Sequence, residues 1–228
     1  MLPLGRRLLA EGLGTALLVT AVVGSGIAAQ RLSPDDVGLQ LLENTLATVF
    51  ALVALILMLG PVSGAHMNPA VTLHACLRRE LPTADGAAYV VVQLLGGLAG
   101  TALAHAMFEL APFAASTKMR TGASQWLAEV VATAGLLLVI RGALRTHALT
   151  VPFAVAAWIG GAYWFTSSTS FANPAVTLAR GFTNTFSGIA PADVPAFVGA
   201  QVAGVLVAAA LGHLLYGSDT PRPPVEAA

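Results

Sequence analysis

Long apolar stretches separated by short polar segments make up most of this chain. Six of these stretches reach the roughly 20 residues that a helix needs to cross a bilayer. They cover approximately residues 8–29, 38–60, 86–110, 124–144, 148–167 and 195–216. The pattern therefore predicts an all-α membrane protein with six transmembrane helices.

A second pattern is a six-residue sequence, Asn-Pro-Ala-Val-Thr-Leu, that begins at Asn68 and again at Asn173. Asn is a favoured N-cap, and Pro suits the first helical position because its missing N–H would have no helical partner. Each copy predicts a short helix, over 68–79 and 173–182. At about ten residues, or about 15 Å, each would cross half of the hydrocarbon layer. Joined end to end, the two would complete one crossing.

The two halves of the chain also match outside this motif. Glu11 corresponds to Glu129, and Gln93 to Gln201. Three spans in each half is an odd number, so the second repeat must be inverted, and its half-helix enters from the opposite face. We predict a single domain over 1–228. Its parts, in chain order, are repeat 1 at about 6–110, a linker at 111–123, repeat 2 at about 124–216, and a disordered tail at 217–228.

Polar residues at membrane depth need partners, because unpaired charge there is costly. Glu11 and Glu129 have two interpretations: a proton relay or ion site, or acceptors for backbone N–H groups that the half-helices and their loops leave unpaired. One Glu, one Gln and one half-helix in each repeat favour loop support by Glu11, Glu129, Gln93 and Gln201.

Composition excludes several classes of protein. The chain is 56% hydrophobic and 10% charged, which a soluble domain of this size does not accommodate. The formal net charge is zero, so the chain lacks the excess of basic residues that is typical of nucleic-acid-binding proteins. With one cysteine and no metal-ligand spacing among its histidines, the sequence predicts no cofactor and no metal. Basic residues divide seven to four between the two faces, which favours cytoplasmic termini.

The doubled motif, Asn68-Pro69-Ala70 and Asn173-Pro174-Ala175, and the repeat around it resemble the aquaporin and aquaglyceroporin family, the major intrinsic proteins. The resemblance implies a right-handed bundle of six helices with two re-entrant half-helices. It further implies one pore per protomer, a homotetramer, and a multi-pass protein of a bacterial-type inner membrane. The pore-lining backbone would come from the residues before each motif: Gly64, Ala65, His66, Phe171 and Ala172.

The family's second constriction, its selectivity filter, is located by counting from the motif asparagines. The positions fall on Thr48, Gly161, Ser170 and Val176. Most members of the family carry Arg at the last of these, and Val has neither its charge nor its donors. The chain thus resembles the arginine-less bacterial metalloid channels associated with arsenic resistance. We expect a wide passage for uncharged hydroxylated solutes, arsenite as As(OH)₃ above all, with methylated arsenic acids as further candidates.

Other functions stay open at this level. A general pore for water, glycerol and urea needs the same architecture. A secondary transporter with inverted repeats is a different class, and it would need coupling-ion ligands that the spans scarcely offer. An intramembrane enzyme would need a nucleophile with a base or a metal-ligand set, and the sequence shows neither.

Overall fold

The computed structural model describes residues 2–217, and within them eight α-helices. In chain order they are α1 Leu4–Leu32, α2 Val37–Ser63, α3 Pro69–Leu77, α4 Thr83–Met107, α5 Ala123–Thr146, α6 Val151–Phe165, α7 Pro174–Arg180 and α8 Val194–Tyr216. Short 3₁₀ turns at Ala148–Thr150 and Pro191–Asp193 lead into α6 and α8. In this described part of the chain, six helices are long and apolar enough to span a membrane.

The predicted all-α membrane fold is therefore confirmed, with differences at the helix ends. The third span was predicted to reach 110, but α4 ends at Met107. The fifth was predicted over 148–167, but α6 ends at Phe165. The predicted tail, apart from Gly217, lies outside the described residues.

The two halves of the chain repeat one order of elements: two long helices, a short helix and a further long helix. In the first half α1 packs against α4, and in the second α5 packs against α8. Each short helix packs against a long helix of the other half: α3 contacts α8 as well as its own half, and α7 packs mainly against α4. This exchange brings the starts of α3 and α7 together inside the bundle.

Glycines allow α1 and α4 to approach closely. A Cβ on Gly96 would collide with the backbone carbonyl of Gly12, and one on Gly100 with that of Ala16. Such contacts between small residues bring helix backbones together in lipid, where dispersion forces replace the hydrophobic effect.

Candidate functional site

The starts of α3 and α7 are joined by their two motif asparagines. Asn68 Nδ2 donates to the carbonyl oxygen of Ala172 at 2.8 Å, and Asn173 Nδ2 donates to that of Met67 at 2.8 Å. The side-chain oxygens cap the helices: Asn68 Oδ1 accepts from Ala70 N, and Asn173 Oδ1 from Ala175 N. Each side-chain amide therefore donates one of its two N–H groups to the opposite loop, and its second N–H group can donate to another partner.

Glu11 holds the loop that leads into α3. Its Oε1 accepts from Ser63 Oγ at 2.6 Å and from His66 N at 2.9 Å. Its Oε2 accepts from Met67 N at 2.6 Å and from Gln93 Nε2 at 2.8 Å. All four donors surround one fully buried carboxylate, so its charge is spread over strong, charge-assisted hydrogen bonds.

Glu129 holds the loop before α7 in the same way. Oε1 accepts from Ser168 Oγ at 2.6 Å and Phe171 N at 2.8 Å. Oε2 accepts from Ala172 N at 2.8 Å and Gln201 Nε2 at 2.7 Å. The two carboxylates thus occupy equivalent places in the two halves, and each hydrogen-bond donor to Glu11 has a counterpart that donates to Glu129.

Two pairs of residues in these networks were missed by sequence reasoning. Ser63 and Ser168 each stand five positions before a motif Asn, a repetition that could have revealed them. Thr72 and Thr177 lie within the repeated motif, and each hydroxyl accepts from the glutamine of its own half.

The loops themselves are strained. Ala65, Met67, Ser170 and Ala172 all have φ between 47° and 50°, in the left-handed region that favours glycine. Such residues cost of the order of 1–3 kcal/mol each, so the surrounding structure must hold them. The two glutamates do this, because they bind backbone N–H groups within the strained segments.

A cavity of about 260 Å³ runs past this junction. Both motif asparagines border it, and so do all five of the residues expected from the resemblance to contribute pore-lining backbone. At the end reached by α3 it contacts His74 and Glu80, and at the end reached by α7 it contacts Arg180. The cavity therefore extends to both sides of the point where the half-helices meet.

Three of the four predicted filter residues, Thr48, Ser170 and Val176, border the cavity. Gly161 is not among the lining residues, which corrects that prediction. It is exposed, and a Cβ there would point at the Phe165 ring. Val151, Val155, Ile159 and Tyr163, spaced by one helical turn, are the residues of α6 that border the cavity.

Tyr163 supplies an aromatic group where the sequence predicted only small residues. Its hydroxyl lies 3.3 Å from Thr48 Oγ1, which in turn donates to the carbonyl of Asn44. Ser170 Oγ is buried and has no hydrogen-bond partner within residues 2–217. The predicted filter positions that border the cavity, with Tyr163, thus bring three hydroxyl groups and the apolar side chain of Val176 to its wall, and none of these four side chains is charged.

Three basic residues surround the α7 end. Lys118 and Arg120 lie in the segment between α4 and α5, and Arg180 is the last residue of α7. Burial, with the nearby charges of Arg120 and Arg180, lowers the pKa of the Lys118 ammonium to about 8. Burial also lowers the pKa of Arg120, to about 10.

No group of three or more His, Cys, Asp or Glu side chains suited to a metal ion occurs in the described part of the chain. His66, beside the first motif, instead has its ring Nδ1 3.1 Å from Thr72 Oγ1, and its ring packs in a T-shaped arrangement with that of Tyr89.

Comparison with known proteins agrees with this architecture. The chain is 57% identical over 208 residues to "Aquaglyceroporin AqpS" of Rhizobium meliloti (strain 1021), covering 91% of this chain and 89% of that protein. It is 34% identical over 166 residues to "Aquaporin AqpM" of Methanothermobacter marburgensis, covering 62% of this chain and 66% of that protein. The X-ray structure of the aquaglyceroporin from Plasmodium falciparum has the same fold, with a TM-score of 0.70 at 22% identity over 94% of this chain and 98% of that one. The sequence model of the family described as "Major intrinsic protein" matches residues 2–160, and the chain belongs to that family.

Proposed function

We propose that this multi-pass membrane channel for small solutes conducts uncharged, hydroxylated molecules, with arsenite as As(OH)₃ its principal solute and methylated arsenic acids as further ones. The observation that carries the proposal is Val176, which borders the cavity in the first turn of α7. An apolar side chain there leaves the constriction neutral, and a neutral wall favours solutes that need neither a counter-charge nor a clamp.

The chemistry of the lining supports the choice of solute. Ser170 offers a hydroxyl group that can both donate and accept hydrogen bonds, and Thr48 and Tyr163 offer hydroxyl oxygens that can accept them. As(OH)₃ carries three hydroxyl groups around a compact centre and no carbon chain, so it can exchange hydrogen bonds with this ring in several orientations. Tyr163 limits the width that the sequence alone suggested, which favours a compact solute.

A general channel for glycerol, urea and water is the second candidate. The specific observation in its favour is that a relative 57% identical to this chain is named an aquaglyceroporin. A secondary transporter has less support, because the membership of the chain in a channel family argues for passive flux.

The remaining features belong to the same proposal. The motif asparagines would present their free N–H groups to the solute, the residues before each motif would contribute backbone carbonyls, and Glu11, Glu129, Gln93 and Gln201 would support the loops. We further propose a homotetramer in a bacterial-type inner membrane with both termini cytoplasmic. The inverted repeats would cover 6–110 and 124–216.

Swelling of proteoliposomes under inward gradients of arsenite, glycerol, urea and water, measured side by side, tests the proposal. We expect arsenite flux that is linear with concentration and exceeds the flux of glycerol. Glycerol and urea flux in excess of arsenite would favour the general channel, and saturable flux coupled to an ion gradient would favour a transporter.

A further inference from the structure

The end of α7 carries a buried positive charge beside the cavity. Arg180 is about 2% exposed and borders the cavity on the same half-helix as Val176, one turn further from the junction. Arginine stays protonated in proteins, so this end of the passage has a fixed charge.

The Arg180 guanidinium is positioned from two sides. Nε donates to the carbonyl oxygen of Ser187, and the guanidinium carbon lies 3.4 Å from the centre of the Phe171 ring. Within residues 2–217 it forms no ion pair and no other hydrogen bond. The charge is therefore held in place but not neutralised, and its terminal N–H groups keep their donor capacity.

A second guanidinium reinforces the first. Arg120 lies 4.9 Å from the centre of the same Phe171 ring and donates to the carbonyl oxygens of Gly188 and Ser168. Glu129, the buried carboxylate whose charge acts on both guanidiniums, is fully occupied by four donors of its own, and the Asp193 carboxylate accepts from the backbone N–H of Arg120. The local balance of charge is consequently positive.

We propose that Arg180 forms the main barrier to cations at the α7 end of this channel, one helical turn beyond the neutral wall at Val176. A charge in a poorly hydrated passage acts far more strongly than one in water, so a cation entering from the α7 end meets the barrier before the constriction. The same charge does not repel a neutral solute. The arrangement separates two tasks: Val176 leaves room for the solute, and Arg180 rejects charge.

The inference rests on the proposed function and is tested separately from it. Proteoliposomes containing the wild type, Arg180→Leu, Arg180→Lys or Arg31→Leu are compared for K⁺ permeability and for glycerol and arsenite flux. Arg31 is the matched control, because it is an exposed arginine that does not border the cavity. We expect Arg180→Leu to raise K⁺ permeability by about 10-fold or more with neutral flux retained, and Arg180→Lys and Arg31→Leu to remain tight.

A double variant tests whether a guanidinium on α7 is itself the barrier. Adding Val176→Arg to Arg180→Leu returns a guanidinium to α7 one turn nearer the junction, and we expect cation exclusion to return with it. If the folded Arg180→Leu channel remains as tight to K⁺ as the wild type, or if Arg31→Leu leaks equally, Arg180 is not the barrier. If wild type passes none of the neutral solutes, the proposed function itself fails.

Discussion

Asn68 and Ala172, 104 positions apart, are joined across the meeting point of the half-helices by a 2.8 Å hydrogen bond from the Asn68 amide to the Ala172 carbonyl. Asn173 and Met67 form the reciprocal bond. Each half-helix is therefore capped by its own asparagine and tied to the loop of the other half by the same side chain.

Replacing Asn68 with Asp should break this tie. Asp still caps a helix, but it has no donor, and its negative oxygen would face the carbonyl of Ala172. We expect a loss of about 1–3 kcal/mol in the free energy of unfolding, together with greater cation leak through the junction. Thermal unfolding in detergent and K⁺ flux in vesicles measure the two effects.

The control for that variant is Asn184→Asp, because Asn184 is exposed and its side chain only accepts hydrogen bonds, from Thr117. It should behave as wild type. Equal stability and equal ion exclusion in Asn68→Asp and wild type would show that the amide tie contributes nothing.

The two glutamate networks make a matched pair of predictions. In Glu11→Gln or Glu129→Gln, an NH₂ group replaces one acceptor oxygen and faces donors already present. Because hydrogen bonds to a charged group contribute about 1.5–3 kcal/mol each, we expect each variant to lose about 3 kcal/mol of stability. Solute preference should change little.

Unfolding temperatures of both variants, measured beside those of the exposed Glu109→Gln, test this role. A proton relay would give the opposite pattern, in which stability is intact and transport is abolished.

Most residues of this candidate site could be predicted from the sequence, because equivalent residues occur in both halves of the chain. The motif asparagines and the Glu and Gln residues of each half stand at equivalent positions, and a buried carboxylate needs donors that only such loops offer. Gly161 was misplaced for a physical reason: α6 is apolar almost all round, so its pattern does not reveal which face meets the cavity. The sequence did not single out Arg180, because its position beside the cavity depends on contacts with Phe171 and Ser187 that no sequence spacing predicts.

The lowered pKa of Lys118 predicts a dependence of stability on pH. Its folded pKa of about 8 lies below the usual 10.5 of lysine, so between these values the unfolded chain binds more protons than the folded one. Stability should therefore rise as pH increases through 8. Lys118→Met lacks this proton equilibrium, so wild type should gain stability relative to the variant between pH 7 and pH 9.5.

Thermal unfolding of both proteins across this range supplies the comparison. A constant difference between them would mean that the Lys118 ammonium is as well solvated in the fold as in the unfolded chain.

The central claim is that a neutral constriction at Val176 admits compact hydroxylated solutes. Val176→Arg adds a charge and a longer side chain beside Thr48, Tyr163 and Ser170, so it should narrow the passage and favour water. The most direct measurement is the flux of arsenite and of water through wild type and Val176→Arg in vesicles of identical composition. Our account predicts that arsenite flux falls by about 10-fold or more while water flux is largely retained, a selectivity change worth about 1.4 kcal/mol or more. Arsenite flux undiminished by the arginine would contradict it, because Val176 would then not form the constriction.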